Sequence, residues 1–404
     1  MTSPRLSRFS SSCVACLLGG VSLSGGAAVP EDFEESVATI QAVGPEGKGN
    51  DEAAAVWKNL SSAGADTILP LLRAMEKSSP LARNWLRSAV EVIVDRELGA
   101  GTDLPGEDIR AFLLDTSQSP QGRRLAFDLY QRIDAEAATE LIPGFLNDPS
   151  TDLRREAVQL LMDEGASLAN SGKQDAAAEI YRKALDAARD TDQIQTIAKQ
   201  LTEKLDQEVD LPRHFGFLMH WQVVGPFDNT GREGFDAVFP PENDVALDAT
   251  YEGKEDQPIT WQALVSSDEY GKIDLNQPFG PLKEVTGYAF TEFNAAEARS
   301  AELRLSCKNA WKIWVNGKFL FGRDEYHRGQ RIDQYKLPIT LKEGRNTILV
   351  KLCQNEQTQD WTVEWEFKLR VCDATGTAIL AVDRPETPKP RAAPSRRDRG
   401  TNAQ

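Results

Sequence analysis

Two stretches of the sequence decide the fold: WKIWVNGK at residues 311–318 and LKEGRNTILVK at residues 341–351. The first has the composition of a β-strand and ends in Asn316-Gly317, the dipeptide that most strongly favours a two-residue hairpin turn. The second places a turn at Gly344 before another apolar strand. Both stretches therefore predict strands joined by tight turns, as in a β-sandwich.

The region around these stretches has the two-residue period of β-strands. Alternation begins at Phe217 near the start of the region, and residues 361–371 alternate from Trp361 to Val371. In that last strand the intervening residues are polar, which predicts one face toward the core and one solvated face. No helical pattern separates the strands, so they predict an antiparallel sandwich rather than a βαβ fold.

The same period separates the two tryptophans of the first stretch. Trp311 shares its phase with Ile313 and is predicted to lie in the core. Trp314 has the opposite phase and points with Lys312 and Asn316 to the other side of the sheet. Trp314 would either contribute to a binding surface or pack under a loop or against the helical domain, and the sequence leaves both open.

Residues 31–208 carry the 3.6-residue period of α-helices with short breaks. Two of the apolar stripes contain a proline, Pro70 and Pro143, which we expect to bend the helix. Three further helices are predicted to begin with a turn, a proline and a following arginine. These starts are Ser79-Pro80, Ser119-Pro120 and Asp148-Pro149.

Two parts of this helical region resemble known repeats. Residues 141–158 resemble a HEAT repeat, with LIPGFLNDP as a bent helix and Asp-Pro turn and DLRREAV as the arginine-bearing second helix. Residues 164–185 resemble a tetratricopeptide unit, and residues 194–205 would be the helix behind it. The resemblance implies a degenerate helical layer with a concave surface for a protein or peptide, or alternatively a spacer that supports the sandwich.

Residues 215–373 resemble the galactose-binding-like jelly-roll modules, in particular the sugar-binding domains attached to β-galactosidase-type glycoside hydrolases. The resemblance is carried by residues 310–318, 341–351 and 361–369 and by the strand WQVVGPF at 221–227. It implies a jelly roll. It specifies no ligand, because the matching motifs form turns rather than sites.

A jelly roll is expected to bind its ligand through loops at one end, where aromatic rings stack on sugars and polar groups contact hydroxyls. The segment GRDEYHRGQR at 322–331 has the most suitable composition. Our candidate ligand-binding residues are Trp314, Arg323, Tyr326, His327 and Arg328. In the structural alternative, Arg323 and Arg328 pair with Asp324 and Asp333.

The sequence contains no recognisable catalytic motif. Its three histidines have no paired spacing, and there is no zinc-protease motif, nucleophile elbow or P-loop. Glu364 and Glu366 share a strand face about 7 Å apart, which would suit an inverting glycosidase, but their alternation predicts a solvated surface. We therefore expect no enzymatic activity and no cofactor. Asp228, Asn229 and Asp244 have an unspecific spacing that leaves calcium binding open.

The start of the chain predicts export, and its end predicts disorder. Residues 1–28 have the pattern of a signal peptide, with Arg5 and Arg8 before a short apolar run and small residues at a cleavage site. No segment reaches the roughly 20 apolar residues of a transmembrane helix. Residues 383–404 are basic and proline-rich and are predicted to be disordered. We expect a periplasmic, extracellular or surface protein.

The net charge of the chain argues against one class of partner, and its cysteines argue against a disulfide framework. The formal net charge is −16, from 46 Lys and Arg against 62 Asp and Glu, which argues against nucleic acid as a partner because phosphates are also negative. Cys307, Cys353 and Cys372 would remain after signal cleavage. Their strand phases make no pair compelling, so we predict no disulfide framework.

Together these features predict a multidomain α plus β protein: a HEAT/tetratricopeptide-like α-helical layer at 31–208 followed by an antiparallel jelly-roll β-sandwich at 215–373. The predicted function is that of a non-catalytic exported binding or scaffold protein. Its sandwich would engage a glycan, a cell-envelope polymer or a protein, and its helices would engage protein. Two alternatives are a purely structural cell-envelope component and a glycoside hydrolase-like enzyme with an unrecognised site.

Overall fold

The structure is a computed structural model that describes residues 29–389. The chain divides into two compact units, and the boundary in the sequence lies between Glu140 and Leu141. The predicted signal peptide at residues 1–28 lies outside the described residues, as does the part of the predicted disordered tail beyond residue 389. Among residues 29–389 no helix is both long and apolar enough to cross a membrane.

The first unit is helical. Its helices are α1 (Phe33–Gln41), α2 (Asn50–Ser62), α3 (Ile68–Ala74), α4 (Pro80–Gly99), α5 (Gly106–Leu114), α6 (Pro120–Ile133) and α7 (Ala135–Leu141). Pro80 and Pro120 are the first residues of α4 and α6, as predicted. The hydroxyls of Ser79 and Ser119 cap these two helices by accepting hydrogen bonds from backbone N–H groups of the first turn.

The second unit begins with a 3₁₀ turn at Ile142–Phe145 and further helices. They are α8 (Thr151–Asn170), α9 (Gln174–Ala187), α10 (Thr191–Lys199), which continues into a π-helical turn at Gln200–Lys204, and α11 (Leu211–Phe215). Gly165 allows α8 to approach α9 closely, because a Cβ atom there would lie 3.0 Å from the ring of Tyr181. Two very short helices follow within the β region, α12 (Pro240–Asn243) and α13 (Asn276–Phe279).

The rest of the second unit consists of antiparallel sheets. The strands are β1 (His220–Asp228), β2 (Thr250–Glu252), β3 (Pro258–Thr260), β4 (Gln262–Val265), β5 (Lys272–Asp274), β6 (Val285–Ala295), β7 (Arg299–Cys307), β8 (Ala310–Val315), β9 (Lys318–Arg323), β10 (Tyr335–Leu341), β11 (Gly344–Gln354) and β12 (Glu366–Cys372). One sheet has the order β4-β1-β6-β11-β8-β9, a second has the order β10-β7-β12-β5, and β2 pairs with β3. The predicted mixed α plus β class with antiparallel sheets is confirmed.

The hairpin predicted from the first stretch is confirmed in detail. Val315 of β8 lies opposite Lys318 of β9. Asn316 and Gly317 between them have φ angles of 53° and 74°, the left-handed conformation that a type I′ turn requires at both central positions. This turn matches the right-handed twist of the two strands and sets the register beside the turn, which then shifts between Trp314 and Ile313.

An apolar core lies between the two large sheets. Trp311 is almost fully buried there together with Ile313 from the same strand, with Phe367 from the opposite sheet and with Trp365, which lies just before β12. The prediction that Trp311 belongs to the core is confirmed. Cys307 also lies in this core. Cys307, Cys353 and Cys372 are all buried free thiols.

The predicted strand at residues 361–371 is wrong in its first half. Strand β12 begins only at Glu366, and Asp360–Thr362 forms a 3₁₀ turn that leaves Trp361 60% exposed. The cause is a set of local hydrogen bonds centred on Thr362. Its hydroxyl donates to the backbone oxygens of Gln357 and Gln359, and its own carbonyl accepts from the side chain of Gln354.

The prediction of a solvated polar face on the same strand is also wrong. Glu366 and Arg370, at two of its polar positions, are only 6% and 2% exposed. Arg370 is covered by Phe215, whose backbone oxygen it contacts at 3.0 Å, and by Asp333, with which it forms two hydrogen bonds. Distant parts of the chain therefore cover the outer face of the four-stranded sheet.

The packed chain extends beyond the predicted boundary at Asp383. The guanidinium of Arg384 donates to the backbone oxygens of Phe217 and Pro212 at 2.9 and 3.2 Å, and Thr387 donates to Asp210 at 2.8 Å. These bonds connect the first residues of the predicted tail to α11 and to the residues on either side of it.

Candidate binding surface at the loop end

Three loops meet at one end of the sandwich, and we call this surface the loop end. They are residues 229–239 after β1, residues 324–334 between β9 and β10, and residues 355–365 between β11 and β12. One amide joins two of them to the end of β11, because Asn229 Nδ2 lies 3.3 Å from the hydroxyl of Tyr326 and 2.9 Å from the backbone oxygen of Gln354. The topology of the strands thus places all three loops together.

Arg232 links the three loops electrostatically. Its guanidinium lies 5.2 Å from the ring centre of Tyr326 and donates to Glu356 at 2.5 and 3.1 Å. These hydrogen bonds lower the pKa of Glu356 to about 2. Burial raises the pKa of Tyr326, so its phenol is neutral at any physiological pH. The surface therefore carries a fixed ion pair beside a neutral phenol.

His327 and Trp361 form an aromatic pair at the rim of this surface. The two rings are perpendicular, with centres 5.7 Å apart. His327 Nε2 lies 2.7 Å from Oδ1 of Asn355, which is fully buried. His327 has a φ of 55°, a conformation that few non-glycine residues adopt. The hydrogen bond to Asn355 therefore fixes the position of the histidine ring. That ring packs against the Trp361 indole, which remains exposed to solvent.

Arg323 and Arg328 are the most accessible of the candidate residues. Both form loose ion pairs with Glu325, at 3.6 and 3.7 Å, rather than with Asp324 and Asp333 as the structural alternative predicted. Asp333 is engaged elsewhere, by the buried Arg304 and Arg370. Exposed pairs of this kind are weak, so both guanidinium groups can turn toward a ligand.

Trp314 is not brought to the loop end. It lies near the hairpin turn of β8, whereas residues 324–334 leave from the opposite end of β9. The predicted phase is correct, because Trp314 packs on the outer side of the sheet with Phe290 and Leu349. It is 8% exposed and contacts Phe319 at a ring distance of 5.7 Å. Four of the five candidate residues therefore share one surface, and Trp314 lies apart.

The sequence reasoning missed several residues of this surface: Trp361, Arg232, Asn355 and Glu356. A signal for Trp361 was present, since residues 354–360 read QNEQTQD, a polar run that separates the tryptophan from the preceding strand. Nothing comparable marks Arg232, which lies more than a hundred residues from Glu356 in the chain.

Three of the four carboxylates considered for catalysis and for metal binding, those of Glu364, Glu366 and Asp228, are paired with lysines. Glu364 forms an ion pair with Lys308, and the buried Glu366 lies 3.6 Å from Lys272. Burial raises the pKa of Glu366. Asp228 is paired with Lys254 at 3.1 Å. In the described part of the chain, no three His, Cys, Asp or Glu side chains are grouped so that they could hold a metal ion.

Comparisons with known proteins give only slight likenesses. No known family and no curated protein matches the sequence. Among solved structures, the chain is similar to a family 35 carbohydrate binding module from Clostridium thermocellum, with 16% identity over 22% of this chain and 72% of that one and a TM-score of 0.17. It is also similar to an anti-sigma factor domain-containing protein from Clostridium clariflavum (13% identity, 44% and 50% covered, TM-score 0.24) and to a β-glucosidase from Kluyveromyces marxianus in complex with glucose (10% identity, 74% and 38% covered, TM-score 0.26). The chain thus spans half or less of the last two proteins. These likenesses are too slight to assign a function.

Proposed function

We propose that this chain is a non-catalytic binding protein that holds a glycan at the loop end, with Trp361 as the stacking residue. The observation that carries the proposal is the 60% exposure of the Trp361 indole at the loop end. An exposed indole offers a flat apolar face to the C–H groups of a sugar ring. Arg323, Arg328 and Glu356, which also belong to the loop end, offer donors and acceptors for hydroxyl groups.

The fixed positions of the side chains at the loop end support this proposal. Asn229 and Asn355 are fully buried, and they fix Tyr326 and His327 from below. A binding surface whose side chains are already positioned loses less conformational entropy when the ligand arrives. The exposed guanidinium groups of Arg323 and Arg328 form only loose ion pairs and can adapt to different glycans.

The environments of the two candidate carboxylates support a role without catalysis. Two-carboxylate glycoside hydrolysis needs an acid and a base or nucleophile that face one substrate. Glu366 is only 6% exposed and lies 3.6 Å from Lys272, and Glu364 forms an ion pair with Lys308. Turnover of a panel of chromogenic glycosides that disappears in Glu364→Gln would overturn this part of the proposal.

The finer predictions from the sequence fit within this function. A galactose-binding-like jelly roll would present the loop end to a glycan, and export would place it among envelope and extracellular polymers. The HEAT/tetratricopeptide-like helices would then support the sandwich or contact a second protein. In the first unit, a groove of about 550 Å³ beside α1 and α3 is the place where such a contact would be sought.

Affinity electrophoresis through gels that contain single polysaccharides tests the proposal. We expect at least one of galactan, xylan, mannan, β-glucan and pectin to retard the protein, and Trp361→Ala and Tyr326→Ala to abolish the retardation. Phe319→Ala is the matched control, because Phe319 is a similarly exposed aromatic residue, at 58%, on the hairpin β8–β9 away from the loop end. Retardation by no polysaccharide, or equal retardation of wild type and Trp361→Ala, would refute the proposal.

A further inference from the structure

A separate pocket of about 230 Å³ lies on the outer face of the six-stranded sheet. Its floor is formed by Trp314, Leu349 and Phe290. These three residues lie side by side on adjacent strands, because Leu349 of β11 is directly opposite both Trp314 of β8 and Phe290 of β6. The register of the sheet thus builds a continuous apolar floor. None of the residues that line this pocket belongs to the loop end.

The short helix α12 and the residues after it form one wall of the pocket, and a buried ion pair fixes this wall. Lys351, which is fully buried, donates to Glu242 of α12 at 2.8 Å. Its ammonium also reaches the backbone oxygens of Phe235 and Ala237, at 3.1 and 2.6 Å. Tyr288 donates to the same carboxylate oxygen at 2.5 Å. A buried ion pair is weak evidence of stabilisation, and its clearest effect here is to hold α12 at one position over the sheet.

Polar groups without protein partners surround the floor. Among the described residues, no side chain or backbone group bonds the indole N–H of Trp314, the amide of Asn243, the carboxylate of Asp244 or the hydroxyl of Thr347, and all four residues line the pocket. Arg345 at the rim is already paired with Glu292 at 2.7 Å. The pocket therefore offers both hydrogen-bond donors and hydrogen-bond acceptors above an apolar floor.

We propose that this pocket binds a single neutral sugar residue, as a second site distinct from the loop end. Asn243 and Asp244 are exposed, and a ligand that displaces water from the pocket would accept hydrogen bonds from the Trp314 indole and the Asn243 amide, which an ammonium group cannot do. It must also donate to Asp244, whose unpaired charge opposes an anion. A neutral polyol satisfies both conditions. The volume lies below the range of about 300–1,000 Å³ typical of larger ligands and suits one ring rather than a chain.

The test is a titration followed by the NMR signal of the Trp314 indole N–H, assigned by its loss in Trp314→Phe. The probes are the methyl glycosides of glucose, galactose, mannose and xylose, and the protein is the full chain. We expect at least one of them to shift this signal saturably, with affinity in the millimolar range or tighter. Asp244→Ala should weaken that affinity about tenfold or more, as expected for the loss of one charge-assisted hydrogen bond.

Two control variants separate this site from its surroundings and from the loop end. Asp248→Ala removes an exposed carboxylate four residues further on that does not line the pocket, and it should leave the affinity unchanged. Trp361→Ala should also leave it unchanged, even if it abolishes binding of polysaccharides. No saturable shift with any of the four glycosides, or affinities that are equal in wild type and Asp244→Ala, would overturn the second site without touching the proposal for the loop end.

Discussion

Two clusters of the second unit contain ion pairs between arginine and a carboxylate. One cluster is buried and the other is exposed, and we expect their roles to differ for that reason. In one cluster Arg304 and Arg370 enclose Asp333, and the two guanidinium groups are only 5% and 2% exposed. In the other, Arg232 and Glu356 are 45% and 48% exposed. The distances are equally short in both. The comparison teaches that the same pair of groups can fasten a loop to a sheet when it is buried, whereas it remains available to a ligand when it is exposed.

The largest effect is expected from the buried cluster. Asp333→Ala should lower the free energy of unfolding by about 3–5 kcal/mol, because it leaves the buried Arg370 without a carboxylate and the buried Arg304 with Glu302 alone. Chemical denaturation followed by tryptophan fluorescence measures the change. A loss below about 1 kcal/mol would show that the buried cluster is no stronger than an exposed pair, and the comparison would fail.

The pH dependence of stability tests the positive charge around the same cluster, because His214 lies close to Arg370. Burial, and then the charges of Arg189 and Arg370, lower the pKa of His214 to about 4. The unfolded chain takes up this proton near pH 6.5, before the folded chain does, so stability should fall as the pH drops from about 6.5 to 4, by at most about 1.4 kcal/mol per pH unit. His214→Gln should flatten this slope in denaturation curves at successive pH values. Burial also lowers the pKa of His220, so a smaller slope should remain. An unchanged slope in the variant would contradict the assignment.

The smallest effect is expected from the exposed pair. Glu356→Gln should change the free energy of unfolding by less than about 1 kcal/mol, because solvent screens exposed charges, and added salt should shrink even that difference. The measurement is denaturation at low and high ionic strength. A loss as large as that in Asp333→Ala would mean that the loop end is part of the folding framework, and its availability to a ligand would have to be reconsidered.

The parts of the fold that the sequence predicted well depend on local geometry. The Asn316-Gly317 turn follows from the left-handed conformation that these two residues tolerate, and the starts of α4 and α6 follow from serine caps and first-turn prolines. The burial of Arg370 was out of reach, because Phe215, which covers it, lies 155 residues earlier. Alternation alone cannot show which face of a strand a distant segment will cover.

The residues of the candidate surface also divide into those that local sequence predicts and those whose position depends on distant segments. Arg323, Tyr326, His327 and Arg328 were predicted together because they are neighbours in one loop, and the structure keeps them on one surface. Trp361 was assigned to a strand because its alternation continues that of β12, while the hydrogen bonds of Thr362 that end the strand depend on where Gln354 lies. Trp314 was placed on the correct side of the sheet, but its distance from the loop end depends on the direction in which β9 leaves the hairpin.

The three buried thiols make the chain its own reporter of unfolding. Burial raises the pKa of Cys307 to about 12 and those of Cys353 and Cys372 to about 11, so almost no thiolate exists in the folded state at neutral pH. Only the thiolate reacts with alkylating and disulfide reagents. The rate at which such a reagent labels Cys307, Cys353 and Cys372 in the native protein therefore measures how often the strands that bury them open.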